Sequence, residues 1–157
     1  MTINYLSKIN FKYLNNYFLI MGLHSNLEMK KNNLKIKIED LLLLVLFMLE
    51  KRSFKSISES ELQNIIYFLK DKLFSYQFYS KPIIYSYELL EDVQKTNQDG
   101  FIESTIEIIG DESVPKYHYS LSLLGKARSQ NIIDSLSQET KDKINEYLDE
   151  AMIKINK

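Results

Sequence analysis

Two histidines, no cysteine and a few adjacent acid pairs are the residues of this 157-residue chain with the means to do chemistry. His24 and His118 stand alone, with no thiolate and no second imidazole at ligand spacing, so no metal site is expected. Glu91-Asp92 and Asp111-Glu112 have the carboxyl groups that general acid–base work needs. Adjacent side chains on a helix diverge, however, so solvated faces are expected rather than catalytic pairs. Tyr76, Phe78, Tyr79, Tyr85 and Tyr87 have flat faces on which bases could stack, although aromatics at these spacings usually fill a core. No phosphate-cradling glycine loop or nucleophile motif is present. The expectation is a non-enzymatic protein with no cofactor.

Charge offers a different chemistry. Residues 1–38 carry six lysines against the single acid Glu28, net +5, while the remaining 14 basic and 20 acidic residues leave the rest at −6. A basic arm on an acidic body suits contact with phosphates, since DNA affinity rests largely on cations that release counterions. Lys30, Lys31, Lys35 and Lys37 are the arm's candidates for such contact.

These groups need elements to hold them. Apolar residues make up 45% of the chain, with 11 Tyr and 8 Phe, enough for a core. With 4 Gly and 2 Pro, long irregular stretches are not expected, and helix should dominate. Leu41 to Leu49 is an unbroken apolar run between charged ends. It is half the length of a membrane span, about 20 residues, and reads as a buried helix. No signal peptide is expected and a cytoplasmic location is the expectation; the absence of cysteine excludes disulfides but does not itself exclude an extracellular protein.

Residues 1–37 read as a basic N-terminal arm or extra helix. The folded domain is expected over 38–126, with a C-terminal amphipathic helix over 127–157. Ser58-x-x-Glu61 is a capping box that opens the second helix. Phe74-Ser-Tyr-Gln-Phe78 alternates as a short strand does. Ser86 caps a third helix over residues 87–98, which Gly100 ends. Phe101–Ile109 and Tyr117–Leu123 form a β-hairpin, expected to pair against the short strand before the third helix, and Gly125 precedes the last helical region. Ile132, Ile133, Leu136, Ile144, Tyr147, Leu148, Met152 and Ile155 form its apolar stripe, with an interruption near Ser137.

Helix, helix, short strand, helix, hairpin, helix is the order of a winged helix-turn-helix domain in an α+β, mostly α, chain. The third helix runs into Asp99-Gly100-Phe101-Ile102, and after the hairpin comes Tyr119-Ser-Leu-Ser-x-x-Gly125-Lys126. This resembles the MarR and PadR type of winged-helix regulators, whose "G-x-I" strand pairs with a "Y-x-L-T-x-x-G" strand; Ser122 stands in for the threonine. Residues 58–126 also resemble the YwgA-like winged-helix proteins, through Leu62-Gln63-x-x-x-Tyr67-x-Leu69 and Tyr85-Ser86-x-Glu88-Leu89-x-x-Asp92. The chain departs from that pattern at Ile83-Ile84, where the family has Gly-Pro.

The resemblance implies a DNA-binding transcriptional regulator. Its third helix would enter the major groove of double-stranded DNA through Tyr85, Ser86, Tyr87 and Lys81, with Lys95 further along the helix and Lys116 on the wing. The C-terminal stripe suggests a homodimer. Against this, Glu88, Glu91 and Asp92 oppose the single Lys95 on the third helix. That acidity supports the alternative, a winged-helix module that binds a protein partner and not DNA.

Overall fold

The computed structural model describes residues 36–108 and 115–156. Among them the chain is α+β and mostly helical, with five helices and a three-stranded antiparallel sheet.

Helix α1 (Ile38–Lys51) is the axis of the core. All nine residues from Leu41 to Leu49 are buried. Glu39 and Asp40 lie in its first turn and Lys51 in its last, where they complement the helix dipole. Strand β1 (Ile57–Ser58) leads directly into α2 (Glu59–Leu69). The capping box at this junction forms as expected: the Glu61 amide donates to Ser58 Oγ at 3.3 Å, and the Ser58 amide donates to the Glu61 carboxylate at 2.9 Å. Leu62, Ile65, Ile66 and Leu69 bury one face of α2.

Residues 74–78 do not form a strand of the sheet. Phe74 and Tyr76 turn inward and stack, ring centroids 5.4 Å apart, and Phe78 packs edge-on against Tyr67. The alternation reflects which rings are buried, with no backbone ladder behind it. Just beyond the segment an isolated bridge joins Tyr79 and Tyr85, across the turn that holds Lys81-Pro82.

Helix α3 (Tyr87–Gln98) starts where expected, with the Leu89 amide donating to Ser86 Oγ. It ends before Gly100, whose φ of 79° favours a residue with no Cβ. Strand β2 (Ile102–Glu107) and strand β3 (Lys116–Leu121) form the expected hairpin, in register from Ile102 opposite Leu121 to Glu107 opposite Lys116. The third strand of the sheet is not the one expected. It is β1, before α2, which pairs Ile57 with Tyr119 and Ser58 with His118, giving the order β1-β3-β2.

Gly125 lies inside the next helix, α4 (Leu123–Ser135), which Ser122 caps. A Cβ at Gly125 would come within 2.0 Å of the Phe101 carbonyl oxygen, so this first turn packs against backbone. The expected interruption falls at Leu136, and Ser137 caps α5 (Gln138–Ile155). Ile144 and Leu148 are fully buried, and Ile132, Ile133, Leu136, Tyr147, Met152 and Ile155 pack on the same core. The stripe that suggested a homodimer is therefore covered within the chain, and residues 127–156 share the core of the preceding helices. No described helix is long and apolar enough to cross a membrane.

Candidate functional site

A groove of about 890 Å³ opens between α3 and the hairpin. The strand register decides what faces it. Ile102, Ser104 and Ile106 share one side of the hairpin with Leu121, Tyr119 and Tyr117 opposite them. Ile102, Leu121 and Tyr119 are buried, but Ile106 is 57% exposed and Tyr117 41%. Ser104, Tyr117 and Tyr119 line the groove from this side of the hairpin, while Ile106, paired with Tyr117, is exposed outside that lining. The other side carries Glu103, Thr105 and Glu107 with His118 and Ser120, and Lys116, at the start of β3 opposite Glu107, borders the groove. There His118 Nε2 lies 3.0 Å from Glu107, the ordinary polar role expected of it.

The other wall comes from α3 and the start of α2. Leu90, Gln94, Asn97 and Gln98 line it from α3, and Ser60 and Asn64 from α2. Ile83, Ile84 and Tyr85 close one end. On the floor, Tyr119 Oη donates to Glu59 at 3.0 Å. Burial, and then the Glu59 charge, push the Tyr119 phenol above its ordinary range, so it stays protonated and serves as a donor. Burial also raises Tyr85, with Glu59 and Tyr87 adding to it.

The orientation of α3 depends on a residue that sequence reasoning did not single out as functional. Gln63, 2% exposed, lies in the apolar face of α2. Its Oε1 accepts from the Ser86 amide at 2.8 Å, and its Nε2 donates to the Ser86 carbonyl at 3.1 Å. The readable signal was a carboxamide in a row otherwise reserved for leucine and isoleucine. A second pair holds the flank: Tyr76 Oη donates to Asp92 at 2.7 Å. Burial nevertheless raises the Asp92 pKa, with the nearby Glu39 adding to the shift.

The residues proposed for DNA contact are scattered by this arrangement. Lys30, Lys31 and Lys35 lie outside the described residues, as do His24 and the Asp111-Glu112 pair. Lys37 is exposed at the N-cap of α1. Ser86 cannot touch a base, because it is fully buried and its backbone and hydroxyl are all engaged. Lys95 reaches across to Glu39 at 2.5 Å, so its charge is matched at α1. Lys81 is exposed beside Ile83, and Tyr87 is 57% exposed. Lys116 and Tyr85 both line the groove.

The acid pair Glu91-Asp92 diverges as expected, but Asp92 turns inward to Tyr76 and not to solvent. Burial, with smaller contributions from Asp92 and Glu88, raises the Glu91 pKa. Among the aromatics, Tyr76 is core, whereas Tyr79 is as exposed as Tyr87, and the two meet edge-on at 6.1 Å.

No protein-family model, no curated protein and no solved structure matches this chain.

Proposed function

We propose that the chain is a winged-helix binding protein whose groove between α3 and the hairpin docks a protein partner. The element order α1-β1-α2-α3-β2-β3, with the sheet order β1-β3-β2, supports the winged-helix reading. In that reading α3 is the presenting helix and β2–β3 the wing.

One observation favours protein over DNA: Tyr117, in the groove's lining, is exposed, with exposed Ile106 paired opposite it on the same side of the wing, and Lys116 is the sole cation among the groove's described lining residues. A duplex-binding face needs several cations against phosphate, and exposed apolar side chains gain nothing there. Uncovered apolar surface framed by neutral polar groups is instead the composition of protein interfaces. Tyrosine with asparagine and serine adds adaptable hydrogen bonding to that area at low entropy cost.

The second reading, a DNA-binding transcriptional regulator, keeps one specific support, the net +5 of residues 1–38. In that case the arm, and not the groove, carries the phosphate contacts.

Affinity capture with the full chain separates the two readings. The wild type should retain a protein that Ile106→Asp loses, while any duplex binding is unchanged by that substitution. The proposal fails if Ile106→Asp leaves every captured protein in place and abolishes salt-dependent duplex binding.

A further inference from the structure

The sheet order β1-β3-β2 leaves β1 and β2 at the edges. β1 is two residues long and runs straight into α2, whereas β2 is six residues long and exposed at every position after Ile102. The ladder to β3 fixes which backbone groups β2 offers at its free edge. The Ser122 amide donates to the Phe101 carbonyl at 3.1 Å, so Phe101 opposite Ser122 is a hydrogen-bonded position in the register that continues with Ile102 opposite Leu121. Hydrogen-bonded and open positions alternate along an antiparallel pair. Glu103, Thr105 and Glu107 therefore direct their N–H and C=O groups to β3, and Ser104 and Ile106 direct theirs outward. Those outward groups have no backbone partner among the described residues.

An edge of this kind is a template for another strand. Two common safeguards are missing, since Ile102–Glu107 contains no lysine and no proline. Its pattern is also self-complementary. A two-fold axis at Ile106 sets Ile106 opposite its own copy, Ser104 opposite Ile108 and Thr105 opposite Glu107, so no acid faces an acid within the overlap. Glu107 moreover already lies 3.0 Å from His118. An axis at Thr105 would set Glu103 against Glu107 on both sides of the centre, and like charges directly opposed are destabilising. An axis at Ser104 would draw the second copy onto Ile102, which is buried where α3 meets β2. With the axis at Ile106, the side that Ile106 shares with Tyr117 becomes one apolar row running from Tyr117 through both copies of Ile106 to the second Tyr117.

We infer that the free edge of β2 pairs antiparallel with β2 of a second copy of this chain, Ile106 opposite Ile106, and joins two three-stranded sheets into one. The bonds run along the edge and leave the groove side of each hairpin open, so this pairing is independent of the docking reading. It also makes no use of the C-terminal stripe, which each chain covers with its own core.

The chain has no cysteine, so single-cysteine variants report the register. Opposed residues at a hydrogen-bonded position lie about 5.5 Å apart at Cα, within the span of about 4.4–6.8 Å that a disulfide bridges. Under mild oxidant, Ile106→Cys should link into a dimer at least about tenfold faster than Ile153→Cys, a comparably exposed position on α5, because pairing raises the effective thiol concentration. Ser104→Cys should stay unlinked by itself, its two copies standing about 13 Å apart along the strand, and should link when mixed with Ile108→Cys. Sedimentation equilibrium of the full chain should show a dimer that builds with concentration. Ile106→Pro should abolish it, since proline removes the outward N–H and leaves the ladder to β3 intact; circular dichroism checks that this variant is folded. A chain that stays monomeric, with Ile106→Cys no faster than Ile153→Cys, overturns the inference. So does a dimer that survives Ile106→Pro or that links through Ser104→Cys alone. A monomeric chain whose Ile106→Cys variant is trapped only by a different protein gives the edge to that protein and likewise overturns pairing between copies.

Discussion

Gln63 holds Ser86 by both its backbone groups, at 2.8 and 3.1 Å, and so ties the face of α2 to the first residue of the α3 cap. Both partners are buried, with Gln63 at 2% and Ser86 at 0% exposure. An amide pair sheltered this way sets the angle at which α3 meets the groove.

Gln63→Leu keeps the volume of the side chain but strands the Ser86 N–H away from water, while the Ser86 carbonyl still accepts from the Leu90 amide at 3.3 Å. The expected loss is about 1–3 kcal/mol, from the desolvation of the one unpartnered group. Denaturant unfolding measures it, and a loss below about 0.5 kcal/mol would show that these bonds do not fix α3.

Gly125→Ala forces a Cβ toward the Phe101 carbonyl oxygen, 2.0 Å away before any shift. The clash is with backbone, so α4 must move. A destabilisation of about 1–3 kcal/mol is expected, read as a fall in Tm of several degrees. An unchanged Tm would mean that α4 does not approach Phe101 so closely.

Why some of this fold was legible in the sequence and some not follows from how local each signal is. Ser58 with Glu61, Ser86 and Gly100 act on backbone groups within a few residues, and each stands where its pattern indicated. Strand β1 is two residues long, and its partner Tyr119 lies 62 positions away from Ile57, so no periodicity could announce the pairing. The alternation over Phe74–Phe78 was genuine, but it came from ring stacking. Tyr85, Tyr87 and Lys116 could be read as near the site, because they flank α3 and the hairpin. Gln94, Asn97 and Gln98 have i, i+3, i+4 spacing and were readable as one polar helical face; searching for cations passed over them. That Lys95 is matched by Glu39 required knowing that the first turn of α1 lies within reach of Lys95 on α3.

Asp92 gives a pH test with a definite sign. Its pKa is raised from 3.8 chiefly by burial, so the folded state holds the proton more tightly than the unfolded chain does. Its contribution favours folding at low pH and declines as pH rises from 3.8 through the raised native value. Asp92→Asn keeps an acceptor for Tyr76 and removes the charge. Relative to Asp92→Asn, the wild type should therefore lose stability across that rise. Parallel stability profiles of the two proteins would contradict the account.

The capping box carries the opposite sign. Hydrogen bonds from Ser58 hold Glu61 below its usual 4.5, so its contribution is present above that value and is lost as pH falls through the lowered one. Ser58→Ala should cost about 1 kcal/mol at neutral pH, and the gap from wild type should narrow in acid. A gap that persists in acid would assign the effect to something other than the Glu61 charge.

Tyr117 stands on the wall that gives the groove its character, and its partly exposed ring makes it the position from which to ask what the groove touches. A photoreactive phenylalanine analogue placed at 117 in the full chain, irradiated in cells, should give adducts that protease removes and nuclease does not. Adducts that are destroyed by nuclease and resist protease on the partner side would put nucleic acid against the hairpin and contradict a protein-docking groove.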